Sequence, residues 1–82
     1  MKKVLYVANI SKHIIRFHLP YLKWFKENGY EVHVAANGTD KIENCDVFYD
    51  IPIQRTLFSK QNFNAYLELR NIIAQNGYVL VI

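Results

Sequence analysis

The chain has 82 residues, of which 51% are hydrophobic and 21% are charged, and its formal net charge is +3. This length permits one small domain at most, and the composition is that of a globular protein rather than of a disordered segment. A charge of +3 does not predict nucleic-acid binding without a basic face or a known module, so we expect no nucleic-acid partner. The single cysteine, Cys45, excludes an internal disulfide and favours a reducing compartment.

The amino-terminal segment does not have the pattern of a secretory signal peptide. Its apolar run at residues 4–8 is shorter than a signal core, and Asn9, Ser11 and Lys12 follow it without a small-residue cleavage site. No stretch of the sequence is long and apolar enough for a membrane span. We therefore expect a soluble, cytoplasmic chain.

The first strand and the first helix follow from the spacing of apolar residues. Residues 4–8 are typical of a strand buried on both faces of a parallel sheet. Residues 14–27 then repeat with a helical period. The face expected to be buried contains Ile14, Phe17, His18, Tyr21, Leu22 and Phe25. Pro20 fits only the first turn of a helix, so the helix either begins near Phe17 or is kinked.

Two further strands are predicted after this helix. Asn28 and Gly29 end the helix, since glycine readily takes the left-handed conformation that follows a helix terminus. Residues 30–36 alternate and contain two valines, which predicts a second strand. Residues 37–40 are a turn cluster, and a short strand is expected at residues 46–49.

A second helix and a fourth strand complete the chain. Ser59 or Asn62 is the expected N-cap of a helix that runs to Asn76. Its inner face is predicted to contain Phe63, Tyr66, Leu69, Ile72 and Ile73. Gly77 ends the helix, and residues 79–82 are a wholly apolar strand.

One local pattern occurs twice and indicates the fold class. Residues 27–30 and residues 75–78 each carry a helix end, an Asn-Gly pair and a tyrosine ahead of a buried strand. Helix-to-strand connections of this kind fit right-handed crossovers between the strands of a parallel sheet. The order β-α-β-β-α-β therefore predicts an α/β fold, a Rossmann-like parallel sheet with helices on its faces. Because residue 82 still lies in an apolar strand, we expect residues 1–82 to be the N-terminal part of an incomplete domain.

Ligands of open parallel sheets bind outside the carboxyl ends of the strands, so the loops that follow the strands are the informative ones. The first loop, residues 9–13, has no glycine, and the second strand ends in Ala36 and Asn37 rather than in an acidic residue. Both parts of the dinucleotide-binding fingerprint are missing, which argues firmly against NAD or FAD. The sequence also lacks a P-loop and a zinc-type spacing of Cys and His, so we expect no cofactor and no metal.

Polar and cationic residues of these loops are the candidates for binding an acceptor or a phosphate. They are Asn9, Ser11, Lys12, Arg16, Asn37, Arg55 and Lys60. The residues of the first loop lie at the expected N-terminus of a helix, where free N–H groups and the helix dipole favour an anion. The alternative is that each charge is an ordinary solvated side chain.

The positions of His13, His18, Trp24 and Cys45 predict different roles for these residues. His13 is expected at the ligand edge of the sheet and is the candidate catalytic residue, as a general base or a hydroxyl-binding group. His18 falls among apolar residues on the helical wheel, which favours a hydrogen-bonded core histidine. Trp24 and the other aromatic residues match core spacing rather than a stacking platform. Cys45 has no activating neighbour and is expected to be structural.

The ordered series of segments resembles a known family. Residues 2–5 read Lys-Lys-Val-Leu, residues 17–22 read Phe-His-Leu-Pro-Tyr-Leu, residues 28–32 read Asn-Gly-Tyr-Glu-Val, and residues 45–52 read Cys-Asp-Val-Phe-Tyr-Asp-Ile-Pro. This series covers essentially the whole chain. It resembles the N-terminal domain of family-4 glycosyltransferases with the two-domain GT-B architecture, especially the bacterial capsule and exopolysaccharide enzymes.

The resemblance implies a division of labour between two domains. In such enzymes the N-terminal domain binds the acceptor, often a lipid-linked sugar, and the C-terminal domain holds the nucleotide-sugar donor. It implies that the complete enzyme extends a cell-surface polysaccharide in the cytoplasm, at the inner face of the membrane, and that the isolated chain is inactive. Many members have a Gly-Gly pair near the donor phosphates where this chain has Ser11 and Lys12, which argues against donor contact from this loop. Its cations and His13 are expected to face a diphosphate or an acceptor hydroxyl.

Two other interpretations fit the residues. One is a non-enzymatic α/β module that associates through the apolar strand at residues 79–82, as a homodimer or with another protein. The other is a flavodoxin-like nucleotide binder, which the glycine-poor first loop disfavours.

Overall fold

The computed structural model describes residues 2–54 and 60–82, except for the side chain of His13, and these residues form a parallel sheet with helices on both faces. The elements are β1 (Lys3–Val7), α1 (Ser11–Phe17), α2 (Leu19–Glu27), β2 (Glu31–Ala36), β3 (Val47–Asp50), α3 (Lys60–Asn76) and β4 (Leu80–Val81). The four strands lie in the order β3-β2-β1-β4, and all three pairings are parallel. The predicted Rossmann-like α/β fold is confirmed.

The apolar sequence of β1 fits its position inside the sheet. Val4 pairs with Val32 on one side and with Leu80 on the other. Val4, Leu5 and Tyr6 in the middle of β1 are buried, where polar residues would lose their hydration.

The first layer of the core lies between the sheet and α1–α2. Val4, Val32 and Val34 point to this face, and all three are fully buried. Ile14 of α1 and Leu22 of α2 pack against them. Burying a side chain of this size stabilises a fold by about 1.5–3 kcal/mol, so these contacts fix the two helices on the sheet.

The second layer lies between the opposite face of the sheet and α3. Leu5 and Ala35, which follow Val4 and Val34 in their strands, point to this face because side chains alternate along a strand. Ile72 of α3 and Ile51, after β3, complete the buried cluster.

His18 interrupts the first helical segment and separates α1 from α2. Its N–H donates to the carbonyl of Ile14, and its carbonyl accepts from the N–H groups of Tyr21 and Leu22. Pro20 therefore lies in the first turn of α2, where a missing N–H costs nothing. The structure combines the two alternatives. The helical segment is broken at His18, and the helix that contains Pro20 begins at Leu19, close to Phe17, after a separate helix that begins at Ser11.

Several aromatic residues predicted to be in the core are on the surface. Phe17, Tyr21 and Trp24 are 55%, 59% and 54% exposed. The buried face of α1–α2 is centred on Ile14 and Leu22, and these aromatic side chains lie outside it. The helical period predicted the correct buried face of α1–α2, but it assigned too many residues to that face.

The inner face of α3 is also rotated from the prediction. Ala65 and Ile72 are buried and Leu69 packs against the second layer, whereas Phe63, Tyr66 and Ile73 are exposed. Phe63, Tyr66 and Ile73 therefore lie outside the buried side of α3, which Ala65, Leu69 and Ile72 form. Asn62 is not the N-cap, since α3 begins at Lys60; the alternative cap, Ser59, lies outside the described residues.

Both helix ends with an Asn-Gly pair have the predicted form. Gly29 and Gly77 have φ angles of +84° and +62°, in the left-handed region that ends a helix at little cost only in glycine. The strand after Gly77 is not buried as predicted, because β4 pairs with β1 alone and is the edge of the described sheet. None of the described helices is both long and apolar enough to cross a bilayer.

Candidate functional site

The carboxyl ends of β1, β2 and β3 bring three loops to one edge of the sheet, called here the ligand edge and made of residues 8–12, 37–41 and 51–54. Backbone hydrogen bonds hold these loops together. The N–H of Ala8 donates to the carbonyl of Ala35 at 3.0 Å, and the N–H of Ile51 donates to the carbonyl of Ala36 at 3.0 Å. These bonds anchor the starts of two loops to β2, at the edge of the sheet where ligands bind in this fold class.

Ser11 connects the first two loops of the ligand edge. It is 1% exposed, its N–H donates to the carbonyl of Asn37 at 3.0 Å, and its Oγ donates to Oδ2 of Asp40 at 2.6 Å. A hydroxyl has one proton to donate, so this proton is already used within the protein. The position of Ser11 thus gives it a structural role, and its predicted contact with a ligand stays a prediction.

Gly38 is the counterpart of Ser11 in the second loop. Its φ angle is +146°, and a Cβ at this position would overlap Oγ of Ser11 and lie 3.1 Å from its Cβ. Its N–H donates to Oδ1 of Asp50 at 3.1 Å. The close approach of the two loops therefore requires glycine here.

Asn37 also holds the ligand edge together. Its side-chain amide donates to the carbonyl of Ile53 at 3.0 Å, which ties the loop after β2 to the loop after β3. Asn62 of α3 reinforces the third loop, since its amide oxygen accepts from the N–H of Gln54 at 2.6 Å and its amide nitrogen donates to the Gln54 carbonyl at 3.2 Å.

The cationic candidates are spread more widely than predicted. Lys12 is exposed in the first turn of α1, and Lys60 is exposed at the start of α3, which leaves the same edge. Arg16 is exposed one turn beyond Lys12, roughly 6 Å further along the helix axis and away from the ligand edge. Arg55 lies outside the described residues. The structure therefore brings Asn9, Ser11, Lys12 and Asn37 together and does not include Arg16 in that group.

The two histidines of the first helical segment have different positions. His13 lies in the first turn of α1, beside the ligand edge. Its catalytic role stays a prediction. His18 is half-buried between the rings of Tyr6 and Tyr21, with ring-centroid distances of 5.7 Å and 6.2 Å. His18 was expected to be a buried, hydrogen-bonded core histidine, and the structure places it only half-buried, against these two rings.

Cys45 is a half-buried structural residue, as predicted. Its Sγ donates to the carbonyl of Val47 at 3.2 Å. Burial raises the pKa of the thiol, and the charge of Asp46 raises it further. A thiol with a raised pKa holds little thiolate at neutral pH and is a poor nucleophile. Among the described residues, no group of His, Cys, Asp and Glu side chains is placed to hold a metal ion.

A buried polar cluster was missed at the opposite, amino-terminal edge of the sheet. His33 is 2% exposed; its Nδ1 lies 2.7 Å from the hydroxyl of Tyr78, and its Nε2 is hydrogen-bonded to the carboxylate of Glu31. Burial raises the pKa of the Tyr78 hydroxyl, as does the neighbouring Tyr49, so it stays protonated. The signal was a histidine inside an apolar strand with a glutamate two residues earlier, on the same face.

A groove of about 380 Å³ opens between β3 and α3, beside the ligand edge. Its lining residues are Phe48, Tyr49, Asp50, Ile51, Glu68, Asn71 and Ile72. Asp50 belongs both to this groove and to the loop contact with Gly38. Two carboxylates, an amide and a tyrosine on an apolar floor offer acceptors and donors for ligand hydroxyls.

Comparison with known proteins gives one informative similarity. No family model matches the chain, and no solved structure matches it. The chain is 46% identical over 80 residues, or 98% of its length, to "Putative glycosyltransferase EpsD" of Bacillus subtilis (strain 168). The chain spans 21% of the length of that protein.

The similarity covers the whole fold rather than one motif. It includes all four strands, the loops of the ligand edge and both helix-to-strand returns, since only two residues of the chain are left unaligned. The resemblance to glycosyltransferases is confirmed at this level. The chain is a homologue of a glycosyltransferase and is consistent with an N-terminal portion of one.

Proposed function

We propose that the chain is the acceptor-side, N-terminal part of a GT-B glycosyltransferase. The complete enzyme would transfer a sugar from a nucleotide-sugar donor to a glycan or lipid-linked acceptor. Cell-surface polysaccharide synthesis, of the capsule or exopolysaccharide type, is the proposed setting, in the cytoplasm at the inner face of the membrane. On this proposal the chain alone is inactive, because the donor site lies in a second domain.

The observation that carries the proposal is the 46% identity to a glycosyltransferase across a chain that folds as an all-parallel sheet. In such a sheet the carboxyl edge is where ligands bind. Here that edge has polar groups in all three loops, and Asp40 and Asp50 add carboxylates that accept hydrogen bonds. The groove between β3 and α3 extends this polar surface.

The proposed chemistry assigns His13 to the acceptor. A sugar hydroxyl becomes a better nucleophile when a nearby base accepts its proton, and a neutral imidazole near pH 7 is suited to that task. Asn9, Asn37 and Lys12 would orient the acceptor, and the cations Lys12, Lys60 and Arg55 would face a diphosphate. Arg16 belongs to this set only if the ligand extends along α1.

A ligand titration of the isolated chain tests this assignment. We expect backbone amide resonances of residues 9–12 and 37–41 to shift when an oligosaccharide or an undecaprenyl-diphosphate-sugar analogue is added in detergent. Uridine-diphosphate sugars should cause no saturable shift, because the donor site is assigned to the absent domain. Tight, specific binding of a nucleotide sugar to this chain would contradict the proposed division of labour.

A second candidate function is association through β4, and one observation favours it. Val79 is 57% exposed and the three residues after it are 44–47% exposed, although all four are apolar. An open, apolar edge strand is a template for pairing with another chain. Sedimentation of the protein and of Val81→Lys separates the two cases. A dimer that dissociates in the variant supports a homodimer through β4, and a monomer in both removes this candidate.

A further inference from the structure

β3 is an outer strand of the described sheet, so one side of its backbone faces the groove between β3 and α3. Within the described residues β3 pairs with β2 alone. The N–H of Asp46 donates to the carbonyl of Val32 at 2.8 Å, toward β2. Backbone groups of successive residues in a parallel strand point to alternate sides, so the N–H and carbonyl groups of Val47 and Tyr49 point away from β2. The outer side of β3 therefore presents a backbone donor and acceptor at Tyr49, which lines the groove.

This outer side of β3 is too short to pair well with a further strand. β3 has four residues, Val47–Asp50, and two of them point outward. The carbonyl of Val47 already accepts a hydrogen bond from Sγ of Cys45 at 3.2 Å. Asp50 places a charge at the end of the strand, and short, charged edges oppose pairing between sheets. A compact polar ligand therefore fits this edge better than an extended peptide does.

The groove combines an apolar lining with a size suited to a small ligand. Its volume of about 380 Å³ is at the lower end of the roughly 300–1,000 Å³ that is usual for small-molecule sites. Ile51 and Ile72 are buried and form part of its apolar lining. Phe48 and Tyr49 are consecutive in β3, so their side chains point to opposite faces of the sheet. Both line the groove, which therefore extends around the edge of the strand.

The polar side chains of the groove make it acidic. Glu68 and Asn71 of α3 are exposed, and neither makes a hydrogen bond or an ion pair within the part of the chain that the structure describes. Oδ1 of Asp50 accepts from the N–H of Gly38 at 3.1 Å, which holds this carboxylate where the groove meets the ligand edge. Among the described residues no Lys, Arg or His lines the groove, although the formal net charge of the chain is +3.

We propose that the groove between β3 and α3 is a binding site for a sugar unit that carries no negative charge. The carboxylates of Asp50 and Glu68 accept hydrogen bonds from sugar hydroxyls, and the amide of Asn71 both donates and accepts. The backbone N–H of Tyr49 is a further donor, and the apolar lining packs against the C–H face of a pyranose ring. The two carboxylates repel phosphate and uronic-acid groups.

The choice of a sugar as the ligand rests on the proposed sugar transfer, and the groove adds a restriction on the acceptor. Lys12 and Lys60, the described cations assigned to a diphosphate, do not line the groove. An acceptor that carries both sugars and a diphosphate therefore has a separate surface for each part. Because the groove is acidic, we expect the acceptor glycan to contain uncharged units rather than to consist of uronic acids alone.

Nuclear magnetic resonance of the isotope-labelled chain tests the groove with defined sugars. The neutral probes are chitotriose, cellotriose and maltotriose, and the anionic probe is trigalacturonate. We expect at least one neutral probe to shift the amide resonances of residues 48–51 and 68–72 in a saturable way. Trigalacturonate should bind there at least about fivefold more weakly, as expected from the repulsion of one pair of like charges about 4 Å apart in water.

Glu68→Gln separates the effect of charge from that of shape, because the side chain keeps its size. It should weaken binding of the neutral probe about three- to tenfold and reduce the preference for that probe over trigalacturonate. The matched control is Glu27→Gln, at the end of α2 on the other face of the sheet, which should change neither affinity.

The contribution of the amide is tested in the same helix. Asn71→Ala should weaken binding of the neutral probe about three- to tenfold, since it removes a donor and an acceptor. Asn64→Ala, at an exposed position of α3 that does not line the groove, should change the affinity less than about twofold.

Three results would overturn the proposal. The first is the absence of a saturable shift with every neutral probe, up to its solubility limit, in a chain that circular dichroism shows to be folded. The second is a set of shifts confined to residues 9–12 and 37–41, which would place the sugar at the ligand edge instead. The third is a preference for neutral sugars that is missing or is unchanged by Glu68→Gln. The proposed sugar transfer fails separately, if a complete enzyme that carries this chain transfers no sugar.

Discussion

The contact between Ser11 and Gly38 shows how two residues position the ligand edge. Ser11→Ala removes a partly buried hydrogen bond to a carboxylate and should lower the free energy of unfolding by about 1.5–3 kcal/mol. Gly38→Ala should cost about 1–3 kcal/mol from the positive φ angle, in addition to the overlap with Ser11 Oγ. Urea denaturation of each variant measures both values.

The double variant tests whether the two residues act on each other. In Gly38→Ala with Ser11→Ala the overlap with Oγ is absent, while the 3.1 Å approach to the Ser11 Cβ remains. The double variant should therefore lose less stability than the sum of the two single losses. Additive losses would show that Gly38 is needed for its backbone conformation alone.

Asp46 gives a prediction for the dependence of stability on pH. Burial acts to raise the pKa of its carboxyl, but hydrogen bonds from Lys26 Nζ at 2.6 Å and from the N–H of Val32 at 2.7 Å hold the pKa below its ordinary value. The carboxylate therefore stabilises the folded chain fully above the unfolded pKa of about 3.9, and this contribution is lost as the pH falls through the lower, folded pKa.

Stability is measured as the midpoint of urea denaturation at a series of pH values from neutral to acid. Asp46→Asn should be less stable than the parent at neutral pH, and the difference should shrink as the pH falls below about 4. The side chain of Asp46 is about a third exposed, so solvent screening keeps the effect modest. Glu43→Gln, an exposed carboxyl on the same loop, is the control. A difference that does not change with pH would show that Asp46 acts without its charge.

At the scale of an element, α3 carries two adjacent isoleucines in contrasting positions. Ile72 is 8% exposed in the second core layer, and Ile73 is 38% exposed. Ile72→Ala should lower the free energy of unfolding by about 2–4 kcal/mol, because the lost contacts leave a cavity. Ile73→Ala should cost below about 1 kcal/mol, since much of its side chain is already in water. Equal losses would contradict the orientation of α3 described above.

These elements also show what the sequence predicts well. The apolar run of β1 and the alternation in β2 predict these two strands correctly, because the pattern of side chains along a strand is local. The ends of α2 and α3 at Gly29 and Gly77 are also predicted from the local sequence. The orientation of α3 is not local, since it depends on which of its side chains the folded sheet buries, here Leu69 and Ile72. Exposure of β4 depends on strand order, which no window of sequence contains.

At the ligand edge, sequence analysis does not predict contacts between residues that are far apart along the chain. Ser11 and Asp40 are 29 residues apart, and their bond forms only when β1 and β2 are paired. Ser11 was predicted to bind a ligand because it follows a strand, and its place at the edge is correct. That its proton is used by Asp40 follows only from the folded chain. Arg16 was assigned to the ligand edge because it is close to Lys12 in sequence. In the structure it lies one turn further along α1, away from that edge.

For the whole molecule, different parts of the surface have different roles. The ligand edge is proposed to bind the acceptor, and β4 is the open edge of the described sheet. The chain spans about a fifth of the glycosyltransferase it matches, so these roles are to be tested in a protein of that length.

Sugar transfer by a chimeric enzyme is the most direct test of the central claim. The B. subtilis relative is first shown to transfer labelled sugar from a nucleotide-sugar donor to membrane-fraction acceptors, and its matching 80 residues are then replaced by this chain. We expect the chimera to retain transfer. Arg70→Ala, at an exposed position of α3 outside the ligand edge, should leave the rate unchanged. His13→Ala should lower it roughly 100-fold or more, as loss of a general base does. A folded chimera without transfer would contradict the proposed function, and full transfer by the His13→Ala chimera would remove His13 from the mechanism.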